Sequence, residues 1–365
     1  MPRAASYPLE AAVRQSPPLD LDKAADDAWM KEKTILITGG ASGFGAGFFK
    51  RWAEAGATVV IGDINVKKGD QLVRDVKRET GNKNLHFFHC DVTDWSSQVQ
   101  FFKEAVKVSP HGGIDTVVAN AGITDTDLKF EIPVGLDGHD PPAPKFPVID
   151  VNLTGVLYTS HLALFYLRRN PNSSPSNPNC DPAQTHRDRH LILVSSMAGL
   201  WPIPAQTLYA VSKHAVVGLF RNLRSSSFMH GVRVNLLCPY FIDTSIITNT
   251  GKMLLAGGAV GKPEDVVEAA TRFAADPRIV GRAVLVGPKV KVVQNEEGGM
   301  ALVEKENEAG DKKAIWEIYA HDFEDSDIFV RNVIRVLNRV AEIRGWVGWF
   351  TDMLAVVKRA LRGSN

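Results

Sequence analysis

Tyr209 and Lys213 stand four residues apart, so a helix through them would project both side chains from one face. A phenol with an ordinary pKa of about 10 is a poor base at neutral pH and needs a neighbouring cation that favours the phenolate. Lys213 carries such a charge. Lowering the phenol by about two units takes about 3 kcal/mol of differential stabilisation, attainable in a cleft that gathers further positive charge. A hydroxyl beside the pair would hold a substrate oxygen while its proton moves. Ser196 is placed for this, because it follows the apolar run Leu191 to Val194, and Ser195 competes with it. The implied chemistry is proton transfer at an alcohol or carbonyl oxygen. The pair alone is common on solvated helices and gains meaning only from its surroundings.

Those surroundings are an alternation of short apolar runs and helical segments. Strands are expected at Thr34–Thr38, Thr58–Asp63, Leu85–Cys90, Thr116–Ala119, Leu191–Val194, Val232–Leu237 and Ala283–Val286. Apolar runs of this kind separated by helices specify an α/β, doubly wound fold with a mostly parallel, seven-stranded sheet covered on both faces. Ligands of such sheets sit in the crevice at the strands' carboxyl ends, where Ser196 would lie.

The first strand ends in Thr38-Gly39-Gly-Ala-Ser42-Gly43-Phe44-Gly45 and leads into a helix carrying Phe48, Phe49, Trp52 and Ala53. Glycines here let backbone approach a pyrophosphate, while the helix start offers free N–H groups and partial positive charge. The spacing is Gly-x3-Gly-x-Gly rather than GxGxxG. Asp63 ends the second strand 24 residues after Gly39, where a carboxylate can accept both ribose hydroxyls but would repel a 2'-phosphate. With Ile64 rather than a cation next to it, NAD is favoured over NADP, although Lys67 and Lys68 lie close in sequence.

Thr38-Gly39-x3-Gly43-x-Gly45, Asp91, Asn120-Ala121-Gly122, Asn152, Ser195-Ser196, Tyr209-x3-Lys213 and Pro239-x4-Thr244 occur in the order found in the short-chain dehydrogenase/reductase family, which residues 31 to 288 resemble. The resemblance implies a Rossmann fold and a nicotinamide cofactor. It makes Ser196, thirteen residues before Tyr209, the serine of a tetrad with Tyr209 as acid/base, Lys213 as ribose ligand and Asn152 as holder of a proton-relay water. It further implies cofactor contacts from Gly39, Ser42, Gly43, Phe44, Gly45, Asp63, Ile64, Asp91, Val92, Asn120, Ala121 and Gly122, and, at the nicotinamide end, from Pro239, Ile242 and Thr244. Read without the family, Asp91 could cap a helix and Asn152 could tie loops together.

Two departures stand out. Tyr240 occupies the position after Pro239 where the family usually has glycine, and the chain continues well past Pro288. Residues 1–30 read as a flexible arm, 31–288 as the catalytic domain and 289–365 as a C-terminal helical extension. In that extension Phe329, Val333, Val336, Val340, Ile343, Val347, Phe350, Leu354, Val357 and Leu361 alternate four and three apart. With Trp346, Trp349 and several arginines it suits packing on its own domain or another subunit, or peripheral contact with a lipid surface. The stretch from Arg168 to His190, rich in Asn, Pro and Ser, reads as a surface loop.

The 365 residues, 44% hydrophobic and 23% charged, suffice for one large domain with appendages, and a net charge of +1 gives no reason to expect nucleic acid. Cys90, Cys180 and Cys238 are odd in number and unpaired by any CxxC, so a reducing, cytoplasmic location and no metal site are expected. No long apolar run suggests a membrane span. The expected activity is reversible hydride transfer between NAD and a hydrophobic secondary alcohol of secondary metabolism, such as a polyketide, steroid, prostanoid-like lipid or terpenoid, interconverting it with its ketone and favouring oxidation, by a homo-oligomer (dimer or tetramer). Two further readings keep the fold: a non-redox cyclase or dehydratase, and a silent dinucleotide sensor that would have lost Tyr209 or Lys213.

Overall fold

The computed structural model describes residues 16–21, 23, 25–124, 130, 138, 140, 142–244, 260–294, 300–303 and 310–319, with 336, 339 and 343 beyond them. Residues 15–320 form one compact unit; 1–14 with 321–365 form another, of which only Val336, Arg339 and Ile343, all helical, are described. Most of the apolar seam, and the lipid contact expected from it, therefore lie outside the described residues.

Seven strands run parallel in the order β3-β2-β1-β4-β5-β6-β7: β1 Thr34–Thr38, β2 Thr58–Asp63, β3 Leu85–His89, β4 Thr116–Ala119, β5 His190–Val194, β6 Arg233–Pro239 and β7 Ala283–Gln294. The order reverses between β1 and β4, which opens the crevice at their carboxyl ends. Alternate strand residues feed opposite faces. Ile35, Ile37, Val59 and Ile61 pack with Phe48, Phe49 and Trp52 of α1 (Gly43–Glu54), Val73 of α2 (Val66–Thr80) and Phe273 of a helix further along the chain. Leu36, Val60, Leu191 and Leu193 pack with Phe101 of α3 (Trp95–Val108), Leu162 of α4 (Pro147–Leu167) and Phe220 of α5 (Thr207–Leu223). The helix carrying Phe273, α6 (Pro263–Ala275), starts with Pro263, Glu264 and Asp265, a sequence suited to a helix N-terminus. α4 is long and apolar enough to cross a membrane, but Leu162, Ala163 and Leu167 are buried against the sheet.

Two expectations are corrected. The sheet does not end near Pro288: β7 continues to Gln294 and pairs antiparallel with β8 (Met300–Leu302) and β9 (Asp311–Ile318), so three stretches of the expected helical extension are strand. Pro288 is tolerated because it falls in the irregularity between Val286 and Val290, where its missing N–H breaks no regular pair. Second, the supposed arm is tied down from Ser16 onward. The Ser16 amide donates to the Val280 carbonyl (3.2 Å), the Leu19 amide donates to Glu317 (3.0 Å), and Glu317 pairs with Arg282 (2.8 Å). The Arg168–His190 stretch is the surface loop expected, and one residue of it is anchored by buried charge. Asp188 accepts from Lys33 Nζ (2.9 Å) and pairs with Arg233, all three fully buried.

Candidate active site

The glycine loop is shaped by close packing. Gly39 and Gly43 have φ of 65° and 52°, conformations that glycine adopts without a Cβ clash. A Cβ on Gly39 would stand 2.7 Å from the Ala121 Cα, and one on Gly45 would stand 2.3 Å from the Gly39 carbonyl oxygen. The Asn120 side-chain amide donates to the carbonyls of Thr38 and Gly39 (3.0 Å each), and the Thr38 hydroxyl accepts from the amides of Asn120 and Ala121. Around Gly43, by contrast, a Cβ would meet nothing within 4 Å, and Ser42 spends no side-chain bond capping α1. The start of α1 thus faces open space with its N–H groups free of a side-chain cap, as a pyrophosphate requires.

Asp63 lies beside this loop. One carboxylate oxygen accepts from the Ala41 amide (3.0 Å) and the other from the Asn65 amide (2.9 Å), so its orientation is fixed from both sides. Ile64 is exposed next to it. The Asp91 carboxylate accepts from the amide and hydroxyl of Thr93, while the cap of α3 is Asp94, not Asp91. Val92 is buried against Gly155, Phe44 packs partly on the core, and Ile242 is buried and bridged to Gly261. Any cofactor contact from Val92 or Ile242 would thus come chiefly from backbone.

At the other end of the crevice the residues singled out for proton transfer converge. Ser196 follows β5 and lies close enough to the Tyr209 phenol to pull its pKa down, while its hydroxyl donates to the Pro239 carbonyl (3.4 Å). The Ser195 hydroxyl donates instead to the Lys213 carbonyl (2.8 Å). Lys213 Nζ lies 5.6 Å from the Tyr209 ring centroid and donates to the Val194 carbonyl (3.3 Å). A Cβ on Gly122 would stand 3.3 Å from Asn152 Oδ1 and 3.5 Å from Lys213 Nζ, so these three meet. Thr244, partly exposed, closes the described part of this end.

Asn152 sits in a π-helical segment of α4, Asp150–Gly155. Such bulges cluster at functional sites because they re-aim side chains and free backbone groups. Its Oδ1 accepts from the Ile123 amide (2.8 Å), and its amide donates to the Ile123 carbonyl (2.8 Å) and the Ser212 hydroxyl (3.3 Å). The side chain is a clamp, so a relay water would have to use the Asn152 backbone. Ser212 in turn donates to the Tyr209 carbonyl (2.7 Å). Sequence spacing did not single out Ser212 or Thr38 as site residues; both act through backbone partners that only the fold brings near.

Electrostatics here differ from the simple expectation. Burial pushes the Tyr209 phenol above its ordinary 10.0, opposed by Ser196. Burial also pulls the Lys213 ammonium from 10.5 down to about 8. Desolvation dominates both groups in the absence of a ligand. The fixed carboxylate of Asp63, the open space at Gly43 and a buried cation at Lys213 together fit the ribose, pyrophosphate and ribose of a dinucleotide.

Comparison with known proteins agrees. Residues 33–254 match the family model described as short chain dehydrogenase. The chain is 38% identical to the 5'-hydroxyaverantin dehydrogenase of Dothistroma septosporum, over 74% of this chain and 89% of that protein. It is 30% identical to the NADP-dependent dehydrogenase M3 of Phoma sp., over 75% of this chain and 80% of that protein. A solved short-chain type dehydrogenase/reductase from Mycobacterium marinum shares the fold, with a TM-score of 0.58 at 24% identity, covering 72% of this chain and 96% of that structure. The chain therefore belongs to the short-chain dehydrogenase/reductase family and is a nicotinamide-dependent oxidoreductase that interconverts alcohols and ketones.

Proposed function

We propose that this enzyme oxidises a hydrophobic, polyketide-like secondary alcohol with NAD, using Tyr209, Ser196, Lys213 and Asn152. The observation that carries the reading is the meeting of the Ser196 hydroxyl, the Tyr209 phenol and the Lys213 ammonium at the carboxyl end of β5. Bound alongside, the nicotinamide supplies a hydride acceptor for the carbinol carbon. Tyr209 as phenolate takes the substrate's hydroxyl proton, and Ser196 donates a hydrogen bond to the same oxygen as it becomes a carbonyl. Lys213, protonated, offsets the phenolate charge and holds the ribose. Asn152 and Ser212 keep α5 in register with the loop after β4.

The preference for NAD rests on the fixed Asp63 carboxylate and on apolar Ile64, which together leave a 2'-phosphate facing a negative charge without a cation. The polyketide-like substrate is supported by the 5'-hydroxyaverantin dehydrogenase relative and by exposed apolar side chains around the crevice, Ile123, Phe146 and Trp201. Exposed Trp95, Leu157 and Phe165 on α3 and α4 suit a subunit interface in a cytoplasmic homo-oligomer. The test follows reduced-nicotinamide absorbance with NAD or NADP and a panel of hydrophobic secondary alcohols. Growth of the signal with NAD is expected; tight NAD binding without turnover of any alcohol would overturn the reading.

A further inference from the structure

The two departures from the family pattern, Tyr240 and the lengthened β7, meet at one place. β6 and β7 stay in register only to Pro239 opposite Val286, yet β7 runs eight residues further. At about 3.3 Å per residue, that carries the strand about 26 Å past the carboxyl edge of β6 if fully extended. Along that length it does not stand alone. Val290, Lys291 and Val292 pair with Lys313, Lys312 and Asp311 of β9, and Val292 to Gln294 pair with Leu302 to Met300 of β8. Three antiparallel strands make a ribbon stiff enough to persist beside the crevice, where a single unpaired strand would not.

The base of the ribbon is fastened to the site. The Tyr240 amide donates to the Val286 carbonyl (2.7 Å), and the Tyr240 Cβ is the nearest atom to the space beside Gly287 (3.8 Å from a built Cβ). Gly261, whose amide donates to the Phe241 carbonyl (2.8 Å), abuts the Gly287 carbonyl. Lys289 pairs with Asp265 in the first turn of α6 (3.1 Å). The bulge between Val286 and Val290 bends the strand at this point. The Tyr240 ring stands edge-on to Phe241, with centroids 5.0 Å apart at 85°, and both rings remain partly exposed. Glycine at position 240 would remove one of the two rings at this corner.

We infer that Tyr240, backed by the β7–β8–β9 ribbon, is a specificity-determining wall of the substrate crevice that selects an extended, ring-bearing alcohol over a small one. The inference rests on the alcohol-oxidising reading above. An aromatic ring held between Phe241 and the ribbon offers a flat apolar face for a second or third ring of the substrate, and a small alcohol cannot reach it.

The test measures kcat/KM of the wild-type enzyme, Tyr240→Phe and Tyr240→Gly for a polycyclic secondary alcohol and for 2-butanol. The ratio of the two should fall roughly tenfold or more in Tyr240→Gly, mainly through KM for the polycyclic alcohol, and should be kept in Tyr240→Phe. NAD titration by fluorescence checks that each variant is folded, and Tyr240→Leu serves if Tyr240→Gly is not. An unchanged ratio in a folded Gly or Leu variant overturns the inference. If wild-type enzyme turns over neither alcohol, the functional reading fails instead.

Discussion

Lys213 Nζ donates 3.3 Å to the carbonyl of Val194 and, among the described residues, has no carboxylate beside it. A buried ammonium held only by a carbonyl is an expense the fold carries for its ligand. Burial lowers its pKa to about 8, whereas the unfolded chain titrates near 10.5. Below pH 8 both states are protonated and the folded state bears the full penalty; between 8 and 10.5 the folded form loses its proton first and the penalty fades. Lys213→Met should therefore abolish turnover yet raise the stability of the ligand-free protein at pH 7, by up to about 3 kcal/mol. Thermal unfolding from pH 7 to pH 10.5 checks this: the advantage of the variant should shrink as pH rises. A variant less stable than wild type at pH 7 would sink the idea.

Tyr209 is raised by burial, with Ser196 pulling the other way. Proton abstraction from an alcohol needs the phenolate, so kcat/KM for oxidation should climb with pH towards the alkaline range. Ketone reduction needs the phenol and should hold steady through neutrality and decline at high pH. Tyr209→Phe should lower both activities by roughly a thousandfold while leaving NAD affinity near its original value. Near-normal turnover by this variant would remove Tyr209 from the chemistry.

Asp63 carries two tasks that can be separated. Its oxygens satisfy the amides of Ala41 and Asn65, and the proposed function gives the same carboxylate the adenosine ribose to hold. Asp63→Ser should weaken NAD binding and, combined with Ile64→Arg, shift the ratio of NADP to NAD efficiency upward by roughly a hundredfold. Because two amides lose their acceptor, the variant should also lose about 1–2 kcal/mol in urea unfolding. A preference for NADP in wild-type enzyme would show that the carboxylate does not decide the cofactor.

The positions and parallel direction of the seven strands, and the clustering of Ser196, Tyr209 and Lys213, were legible because each rests on a local pattern: an apolar run, a glycine turn, an i,i+4 spacing; the spatial order of the strands was not. What was not legible depends on partners distant in sequence. Asn152 reads equally as a water holder or a loop tie until the fold sets Ile123 and Ser212 against its amide. The lysine-valine alternation from Lys289 to Val293 is a strand pattern, but Pro288 before it reads as a stop unless the bulge is known. The Asn-, Pro- and Ser-rich stretch before β5 has the composition of a free loop, and only Lys33 and Arg233, far away in sequence, reveal that Asp188 is a core residue.

That last point is open to direct measurement. Asp188 is the anion between two buried cations, and their charge holds its carboxyl well below the usual carboxylate range despite burial. Arg233 also donates to the carbonyls of Phe273 (2.6 Å) and Ile279 (3.1 Å), so the cluster links β1, β6 and the end of α6 to the inserted loop. Asp188→Ala would leave Lys33 and Arg233 facing each other in the interior with the carboxylate they share removed. Removing one partner of such a group typically costs about 3–5 kcal/mol, more than a surface pair could. Urea unfolding should show a loss of that size. Adding Lys33→Met to Asp188→Ala should recover part of it, because one stranded cation goes with its partner. A cost below about 1 kcal/mol for the single variant would mean that the loop is held by its backbone bonds, such as Ser174 to Arg187 (2.9 Å), and not by this charge.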